Sequence, residues 1–427
     1  MKILKIIENK IFSILLIAFF LLRLPPFNPL PGKDISLINS QSIARYILIL
    51  ISIFLIYKFY KKKLKIDIDI KILVFTLFYF IAQSLSVINA VNIPAFLEIY
   101  KHLAFGILFF FITLLVIDNK KKIKMSINIL FLTMIANLIY QLIIYFNQDL
   151  LPRFQGIFYG KYWEVLSLNL NRGRFFVDVY DSALIPIVFV FFLGLENNIK
   201  NNIYKSLMII LAIFFAAVSN FRTHLLMMFS SLSGIIYTFS KNINSFFIKL
   251  SGFLFIMIIL FGVLRGFIGS TSIERVVEPS EEESQTITTR FDWWQQSIGM
   301  GLSSPLLGIG LNNFYEYVSP KTAINMASFG LKNRLAQITA THPHSIFFQT
   351  FAETGILGFI SLLLLLTFFI KSDFSAFKNK NISTNLIIIS FWSLFLFSVF
   401  NPPITLQYII LFWFLRALII KSQEFSL

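Results

Sequence analysis

Histidine and arginine are the residues of this chain whose types and spacing could carry chemistry. Only four histidines occur in 427 residues, and two of them flank a proline in THPHSIFFQTFAETGILG at 341–358. A neutral imidazole can accept a proton near neutral pH, because the ordinary histidine pKa is about 6.5. Arginine binds phosphate through a planar, bidentate guanidinium. Together, the two residue types predict proton transfer beside a bound phosphate group.

The composition places these residues in a membrane protein. Hydrophobic residues make up 57% of the chain, charged residues only 14%, and the mean hydropathy is +0.77. Soluble domains carry roughly a quarter charged residues. A soluble multi-domain protein is therefore excluded, and the fold class predicted is an all-α polytopic membrane protein.

Apolar runs of about 17–25 residues, each long enough to span a bilayer, recur along nearly the whole chain. They predict a single integral membrane domain over 1–427 with about 12 transmembrane helices. In chain order the runs cover 11–30, 43–60, 70–88, 101–117, 124–146, 181–195, 203–219, 223–240, 246–268, 345–371, 384–400 and 404–420.

Lysine-rich links predict the orientation of these helices. KFYKKKLK (58–65), DNKKKIK (118–124) and KSDFSAFKNK (371–380) fall on alternate sides, and the positive-inside rule places them in the cytoplasm. Both termini then lie in the cytoplasm, and the first run is a retained helix because it lacks a small-residue cleavage site. The large segment 269–343, between the ninth and tenth helices, and the smaller segment 147–180 become extracytoplasmic.

On this topology, arginine and histidine concentrate at the outer face. Arg416 alone lies near a cytoplasmic end, and all four histidines are outside or at the outer interface. Contact with anionic lipid headgroups is one explanation of the outer arginines, and an outward-facing site for a phosphorylated ligand is the other. These arginines are Arg23, Arg45, Arg153, Arg172, Arg174, Arg222, Arg265, Arg275, Arg290 and Arg334.

The large outer segment contains a candidate anion site. Its acidic start, at 269–289, predicts a surface loop. Arg290, Trp293 and Trp294 follow, and their spacing places them on one face of a helix. Such a helix could lie flat on the outer leaflet, or Arg290 could hold an anion above an aromatic floor.

Two smaller outer pieces also carry arginine. The segment 147–180 mixes Arg172 and Arg174 with aromatic residues, which suits either a phosphorylated sugar chain or an interfacial belt. SNFRTHLL (219–226) is a short link that holds Arg222 close to the membrane surface. A charge in that position is unfavourable unless it is paired, which favours a functional role.

The histidine stretch predicts the start of the tenth transmembrane helix. Pro343 suits a first turn, so this helix is expected to begin at His344, with Gly355 and Gly358 as flat surfaces for helix packing. The positive end of the helix favours a neutral His344, which could act as a base. A histidine bonded to loop backbone is the alternative. His342 precedes the proline and has no helix to orient it.

Other chemistries find little support. The sequence has no P-loop, dinucleotide fingerprint or HExxH motif. The HPH triplet offers too few ligands for a metal, and the absence of cysteine excludes disulfides and thiolate metal sites. We therefore expect neither a metal nor a cofactor. GIGLNNF predicts a tight turn whose glycines, Gly308 and Gly310, serve the backbone.

Three of these pieces resemble the O-antigen ligase and polymerase family of bacterial envelope glycosyltransferases. They are Arg222 in a short outer link, Arg290-x-x-Trp293 followed by PLLGIGLNNF, and the segment from His344 to GILG. The resemblance covers about 200–400 by motif and the rest of the chain by topology. Ser345 departs from the pattern, since the family often has asparagine directly after the histidine.

The resemblance implies a glycosyltransferase of the bacterial cytoplasmic membrane. It would move a glycan from undecaprenyl diphosphate to an acceptor hydroxyl at the periplasmic face, with inversion and without metal or nucleotide. His344 would be the catalytic base and Arg222, Arg290, Arg174 and Arg172 would bind the diphosphate. Contacts to the glycan or the acceptor would come from Trp293, Trp294 and His342.

Several functions stay open at this point. A ligase would load the glycan onto lipid A-core, and a polymerase would join lipid-linked repeat units. The position of the large segment after the ninth helix favours the ligase branch, and protein or teichoic-type acceptors are further options. A lipid-linked sugar flippase is the rival from another class, but transporters bind near the bilayer midplane and have repeated halves, which this sequence lacks. A structural scaffold would not explain the outer arginines.

A divalent metal ion is not needed if arginines balance the charge of the diphosphate. We therefore expect glycan transfer by the purified protein to continue in EDTA with magnesium excluded. A strict and reversible dependence on a divalent cation would contradict this charge balance.

Overall fold

A computed structural model describes residues 2–24, 40–61, 68–146, 179–194, 222–268, 281–318, 342–378, 381–401 and 405–425. Within these ranges every regular element is a helix, which confirms the all-α class. The α-helices are α1 (Lys2–Arg23), α2 (Ser40–Tyr60), α3 (Ile70–Leu85), α4 (Ile93–Val116), α5 (Lys120–Phe146), α6 (Ile185–Gly194), α7 (Arg222–Thr238), α8 (Ile243–Ile268), α9 (Glu281–Ser303), α10 (Phe314–Tyr317), α11 (Ile346–Lys378), α12 (Ile382–Phe400) and α13 (Leu406–Glu424). Short 3-10 helices cover Ser86–Asn89 and Val179–Leu184.

By length and composition, 7 of the described helical segments could cross a membrane, so the chain is a multi-pass membrane protein. They contain α2, α3, α4, α5, α11, α12 and α13. Shorter apolar helices cover Tyr180–Phe191 and Ile243–Ile256, and the run expected at 203–219 lies outside the described residues. The expected number of about 12 spans stays a prediction.

α4 begins eight residues earlier than the apolar run at 101–117 predicts. Asn92 caps it by accepting a hydrogen bond from the backbone N–H of Ala95, at 3.1 Å, and Pro94 lies in the first turn. An asparagine cap and a first-turn proline are both strong start signals. The charged residue Glu98 lies within this extra length and lowers its hydropathy.

Aromatic packing joins α1, α4 and α13 in the core. The rings of Phe19 and Phe414 lie 4.3 Å apart, and that of Phe109 lies 5.4 Å from Phe414. Gly106 lets α4 approach α13, because a Cβ at this position would meet the Trp413 side chain at 2.9 Å. Small residues commonly allow such close approach of membrane helices.

Two fully or nearly fully buried ion pairs connect distant elements. Arg416 in α13 donates to Asp373 in α11 at 2.6 Å, and Arg23 in α1 donates to Asp181 at 3.0 Å. Each charge therefore has an opposite partner inside the protein, as buried charges require. The sequence places Arg23 among the outer arginines that could meet a phosphate, but its described partner is a carboxylate.

The acidic stretch at 269–289 is not wholly a loop, contrary to the sequence-based expectation. Residues 281–289 form the start of α9, and 269–280 lie outside the described residues. Glu281, Glu282 and Glu283 open this helix. Carboxylates at a helix start are favoured by the partial positive charge there, so the acidic composition marks a helix N-terminus.

α11 begins at Ile346, two residues later than expected, and is broken at Gly355. Gly355 has φ 63° and ψ −163°, outside the helical region, so it is a kink and not the flat packing surface predicted from the sequence. A Cβ on Gly355 would lie 2.6 Å from the backbone of Leu306. The kink thus brings α11 against the loop that follows α9.

Main-chain hydrogen bonds join the kink to this loop, which we call the 304–313 loop. Ala352 and Glu353 accept from Ile309 and Gly310 at 3.0 and 2.9 Å, and Ile356 donates to Pro305 at 2.8 Å. The predicted tight turn is confirmed, since Gly308 and Gly310 have φ +68° and +99°. A Cβ on Gly308 would meet the backbone of Glu353 at 2.4 Å.

Asparagine side chains tie the same loop to the connection between α3 and α4. Asn89 donates to the carbonyl of Gly308 at 2.9 Å, and the side chain of Asn313 accepts from the Asn92 N–H at 2.7 Å. Asn312 donates to the carbonyl of Ala95 at 2.9 Å. These bonds satisfy irregular backbone next to apolar helices, where an unpaired group would be unfavourable.

Gly355→Ala should destabilise the protein by about 2 kcal/mol or more, because alanine must adopt a left-handed conformation and displace the Leu306 backbone. Thermal unfolding in detergent measures the effect. Gly252→Ala is the matched control, because Gly252 lies in α8 and a Cβ added there would meet nothing within 4 Å. That control should be neutral or slightly stabilising. Equal stability of the two variants would contradict the role given to the kink.

Candidate functional site

α9 positions Arg290, Trp293 and Trp294 beside the segment that leads into α11. The helix predicted from their spacing is present, and α9 packs against α11. Trp293 is only 3% exposed, whereas Arg290 and Trp294 are half-buried. The tryptophans therefore face protein and do not lie flat on a free surface.

Both tryptophans contact the histidine segment. The Trp293 ring stacks on the ring of His344, with centroids 5.1 Å apart and an angle of 21°. Trp294 donates from Nε1 to the carbonyl of Pro343 at 2.7 Å, and its ring stacks on Phe348 at 5.0 Å. These contacts fix the backbone on which His344 sits.

His344 itself lies before the helix in a left-handed conformation, with φ 50°. Histidine adopts this conformation more readily than most residues, but it still carries strain, which is common at functional sites. The ring is half-buried, and its Nδ1 atom is buried with no hydrogen-bond partner among the described residues. An incoming hydroxyl could therefore bond to this nitrogen.

Burial, the positive charge of Arg290 and the neighbouring His342 lower the pKa of His344 to about 3. A side-chain hydrogen bond with Asn401 acts in the opposite direction and is outweighed. Arg290 therefore acts on the His344 ring through its charge. His344 is therefore neutral at physiological pH, for these reasons more than because of a helix N-terminus.

The structure describes the remaining predicted site residues to different extents. His342 is 4% exposed and lies next to the same cluster. Arg222 is the first residue of α7, but only its backbone is described. Arg172 and Arg174 lie outside the described residues. The structure thus brings together Arg290, Trp293, Trp294, His342 and His344.

Two polar residues near these elements escaped the sequence-based prediction. Asn401 follows α12, and its side chain raises the pKa of His344 across many residues of sequence, which no local pattern reveals. Glu353 is fully buried in α11, nine residues after His344. A carboxylate within an apolar span is a default sign of function, so the sequence did contain a signal for Glu353.

The described residues contain no group of three or more metal-ligating side chains. They do contain a cation, Arg290, and the neutral imidazole of His344. The imidazole lies beside Trp293 and Trp294, which we call the aromatic wall. A guanidinium can bind an anion such as phosphate, and a neutral imidazole can accept a proton. The arrangement is suited to proton removal next to a bound anion.

The segments that form this site are similar to a known protein family. Residues 207–363 match the family model described as O-antigen ligase. Over these residues, which we call the O-antigen ligase region, the chain is similar to that family. This match confirms the resemblance seen in the sequence. A search of curated proteins found no match.

The O-antigen ligase region contains the described cluster of α9 and the start of α11, together with Arg222 and Glu353. It leaves out α3, α4, α12 and α13, although Asn401 after α12 reaches His344 and the turn before α4 holds the 304–313 loop. Elements that precede and follow the O-antigen ligase region in the chain therefore contact it.

The low pKa of His344 makes a pH prediction. Between the ordinary value of about 6.5 and the folded value of about 3, the unfolded chain binds a proton at this residue that the folded protein excludes. The neutral His344 thus makes its full contribution to the free energy of unfolding above pH 6.5. We expect this stabilisation to be lost progressively as the pH falls below 6.5. Thermal unfolding in detergent at pH 7.5 and pH 5 measures the loss, which His344→Gln should reduce.

Histidine-selective NMR provides the direct check on the same residue. The His344 ring signal, assigned by its disappearance in His344→Gln, should show the neutral form at pH 5. Titration of this signal near pH 6.5 would contradict the buried, cation-flanked environment.

Proposed function

We propose that this protein is a membrane glycosyltransferase that moves a glycan from undecaprenyl diphosphate to an acceptor hydroxyl. The observation that carries the proposal is the placement of Arg290 beside a neutral His344 that stacks on Trp293. The match of 207–363 to an O-antigen ligase model supports an activity of the O-antigen ligase type.

The proposed reaction is a single displacement. The acceptor hydroxyl gives its proton to the ring of His344 while its oxygen attacks the anomeric carbon of the donor glycan. The bond between that carbon and the phosphate oxygen breaks, and its electron pair leaves with undecaprenyl diphosphate. Attack opposite the leaving group inverts the anomeric configuration. His344 is thus the catalytic base, and no metal or nucleotide enters the step.

Arginines would stabilise the charge that grows on the leaving diphosphate. Arg290 and Arg222 are the proposed main ligands, with Arg174 and Arg172 as additional ones. Fixed donors aimed at developing charge lower a barrier most effectively where water is excluded. A bound diphosphate would also offset the positive charge that lowers the pKa of His344, so donor binding would strengthen the base.

The aromatic wall would contact the glycan or the acceptor. Trp293 and Trp294 belong to the residue type on which sugar rings pack, and Trp293 Nε1 has no hydrogen-bond partner among the described residues. His342, buried next to this wall, is the third proposed contact. A hydroxyl of the substrate could accept from the tryptophan N–H.

The proposed setting is the bacterial cytoplasmic membrane, with both termini in the cytoplasm and the site facing the periplasm. Lysine-rich links at 58–65, 118–124 and 371–380 support this orientation through the positive-inside rule. The segments 269–343 and 147–180 would then be extracytoplasmic. We propose lipid A-core as the acceptor because the large segment follows the ninth predicted span, and a growing glycan is the acceptor if the enzyme is a polymerase.

Arg290→Ala and Arg222→Ala should each reduce transfer by about a hundredfold or more, the usual effect of losing a donor to a developing negative charge. Arg290→Lys should recover little activity, because a point charge does not reproduce the bidentate fork. Transfer from a synthetic undecaprenyl-diphosphate-linked glycan, by protein shown to be folded, measures these rates. Lys249→Ala is the control, since it removes a cation whose described contact is the backbone carbonyl of Phe239, which is not part of the proposed site.

The same assay separates the alternatives. Supplying lipid A-core or a second lipid-linked glycan as acceptor distinguishes a ligase from a polymerase. Movement of donor across a vesicle membrane without formation of a new glycosidic bond would identify a transporter. Near wild-type transfer by both arginine-to-alanine variants would remove the proposed diphosphate site.

A further inference from the structure

The core of the protein contains a cavity of about 80 Å³ that the proposed reaction does not use. α3, α11 and α13 contribute polar side chains to its wall, among them Gln83, Glu353 and Tyr408, whereas the side chains from α4 and α12 are apolar. A water molecule needs about 10–15 Å³ of such space, so the cavity can hold a small ligand together with a few waters.

Three polar atoms of the residues that line this cavity are buried and have no hydrogen-bond partner among the described residues. They are Nε2 of Gln83, Oε1 of Glu353 and the hydroxyl oxygen of Tyr408. All three residues are at most 3% exposed. Polar atoms removed from water are unfavourable unless they find a partner, so the cavity is suited to a ligand that supplies polar contacts.

Packing holds two of these side chains in place. The ring of Tyr408 meets that of Tyr180 edge-on, with centroids 5.4 Å apart, and stacks on that of Phe412 at 6.1 Å. The amide of Gln83 lies against Gly358 of α11, where an added Cβ would meet Nε2 at 3.3 Å. The polar atoms are therefore positioned by apolar contacts before any ligand binds.

Glu353 adds a charge to the requirements of the cavity. Its other oxygen, Oε2, accepts from the side chain of Gln349 at 3.1 Å, and this amide is a neutral donor. No lysine, arginine or histidine is among the described residues that line the cavity. A carboxylate within a membrane span is normally paired with a positive group, so Glu353 must take a cation or a proton from outside the chain.

The helix that carries Glu353 is interrupted beside it. Glu353 lies two residues before Gly355, where α11 is broken. The N–H group of Ile356, which follows the break, donates to the carbonyl of Pro305 at 2.8 Å and is not available to the carboxylate. Interrupted transmembrane helices are a common place for cation sites in membrane proteins.

We propose that this cavity binds one small monovalent cation, such as Na⁺ or K⁺, through the carboxylate of Glu353 and the hydroxyl oxygen of Tyr408. Nε2 of Gln83 donates to a water molecule that is bound to the cation. The cation thus joins α11 to α13 directly and α3 through water, and it stabilises the folded protein. This inference does not depend on glycan transfer.

The charge of the cavity favours a monovalent ion. Glu353 is the one carboxylate among the described residues that line it, so a single positive charge balances it. A divalent ion would leave a net positive charge among apolar side chains, which is unfavourable. Carboxylate and hydroxyl oxygens are ligands that hard cations prefer. Water alone would satisfy the hydrogen bonds but not the charge.

Thermal unfolding in detergent at pH 8 tests the site in three chloride salts at equal ionic strength, those of sodium, potassium and N-methyl-D-glucamine. The last cation is too large for the cavity and controls for general effects of salt. We expect sodium or potassium to raise the unfolding midpoint by about 2–5 °C in a saturable way, because a ligand that binds only the folded state stabilises it.

Glu353→Gln should remove the difference between the salts, because glutamine keeps the size of the side chain but not its charge. Tyr408→Phe should keep a difference but need about tenfold more cation for half of the effect, since one oxygen ligand is lost. Glu316→Gln is the matched control, because Glu316 is a carboxylate that bonds to Asn92 and does not line the cavity. Its response should equal that of the wild type.

Equal unfolding midpoints of the wild type in the three salts would overturn the proposal and would assign a proton to Glu353 in place of a cation. A difference between the salts that persists in Glu353→Gln would place the cation elsewhere, which also overturns it. If Glu353→Gln does not fold, Tyr408→Phe decides, and an unchanged cation concentration at half effect contradicts the site. All these outcomes are independent of glycan transfer, which the transfer assay tests separately.

Discussion

The pairing between the backbone of α11 around Gly355 and the 304–313 loop fixes where α9 ends relative to where α11 begins. It requires a left-handed residue within an apolar helix and two more left-handed glycines opposite it. It also requires that every exposed backbone group in this break find a partner, because lipid supplies none. The Asn89, Asn312 and Asn313 side chains and the backbone carbonyls of Ala352 and Glu353 provide such partners.

The electrostatics of the site depend on that placement. Arg290 and His344 lie close enough for the cation to disfavour protonation of the imidazole, and burial acts in the same direction. The site therefore combines a positive group with a neutral base, an arrangement that attracts an anion and can accept a proton. In the proposed reaction the donor supplies the negative charge, so binding and activation of the base become linked.

Local sequence patterns are sufficient to predict much of the fold and part of the site. The hydropathy of the runs predicts an all-α membrane protein, the spacing of Arg290, Trp293 and Trp294 predicts a helix, and GIGLNNF predicts a tight turn. Each depends on periodicity or backbone preference within a few residues. The same patterns also identify the histidine stretch, which the structure places against the tryptophans of α9.

The differences from the sequence-based predictions have a common origin in contacts between distant segments. The sequence predicts a flat helix surface at Gly355, but the conformation of this residue is set by the Leu306 backbone, which lies against it from another element. The acidic stretch at 281–283 predicts a loop, whereas these residues form the start of α9. Asn401 could not be found locally, since its link to His344 exists only after α12 and α9 have packed around α11.

The central claim, that His344 is the base of a glycan transfer, is tested by measuring donor turnover and donor binding separately in two single variants in nanodiscs. His344→Ala should bind the undecaprenyl-diphosphate-linked donor yet transfer almost nothing, because the arginines are intact and the proton acceptor is gone. His342→Ala, which removes a buried neighbour from the same segment, should keep substantial activity. The reverse pattern, or two active variants, would contradict the account.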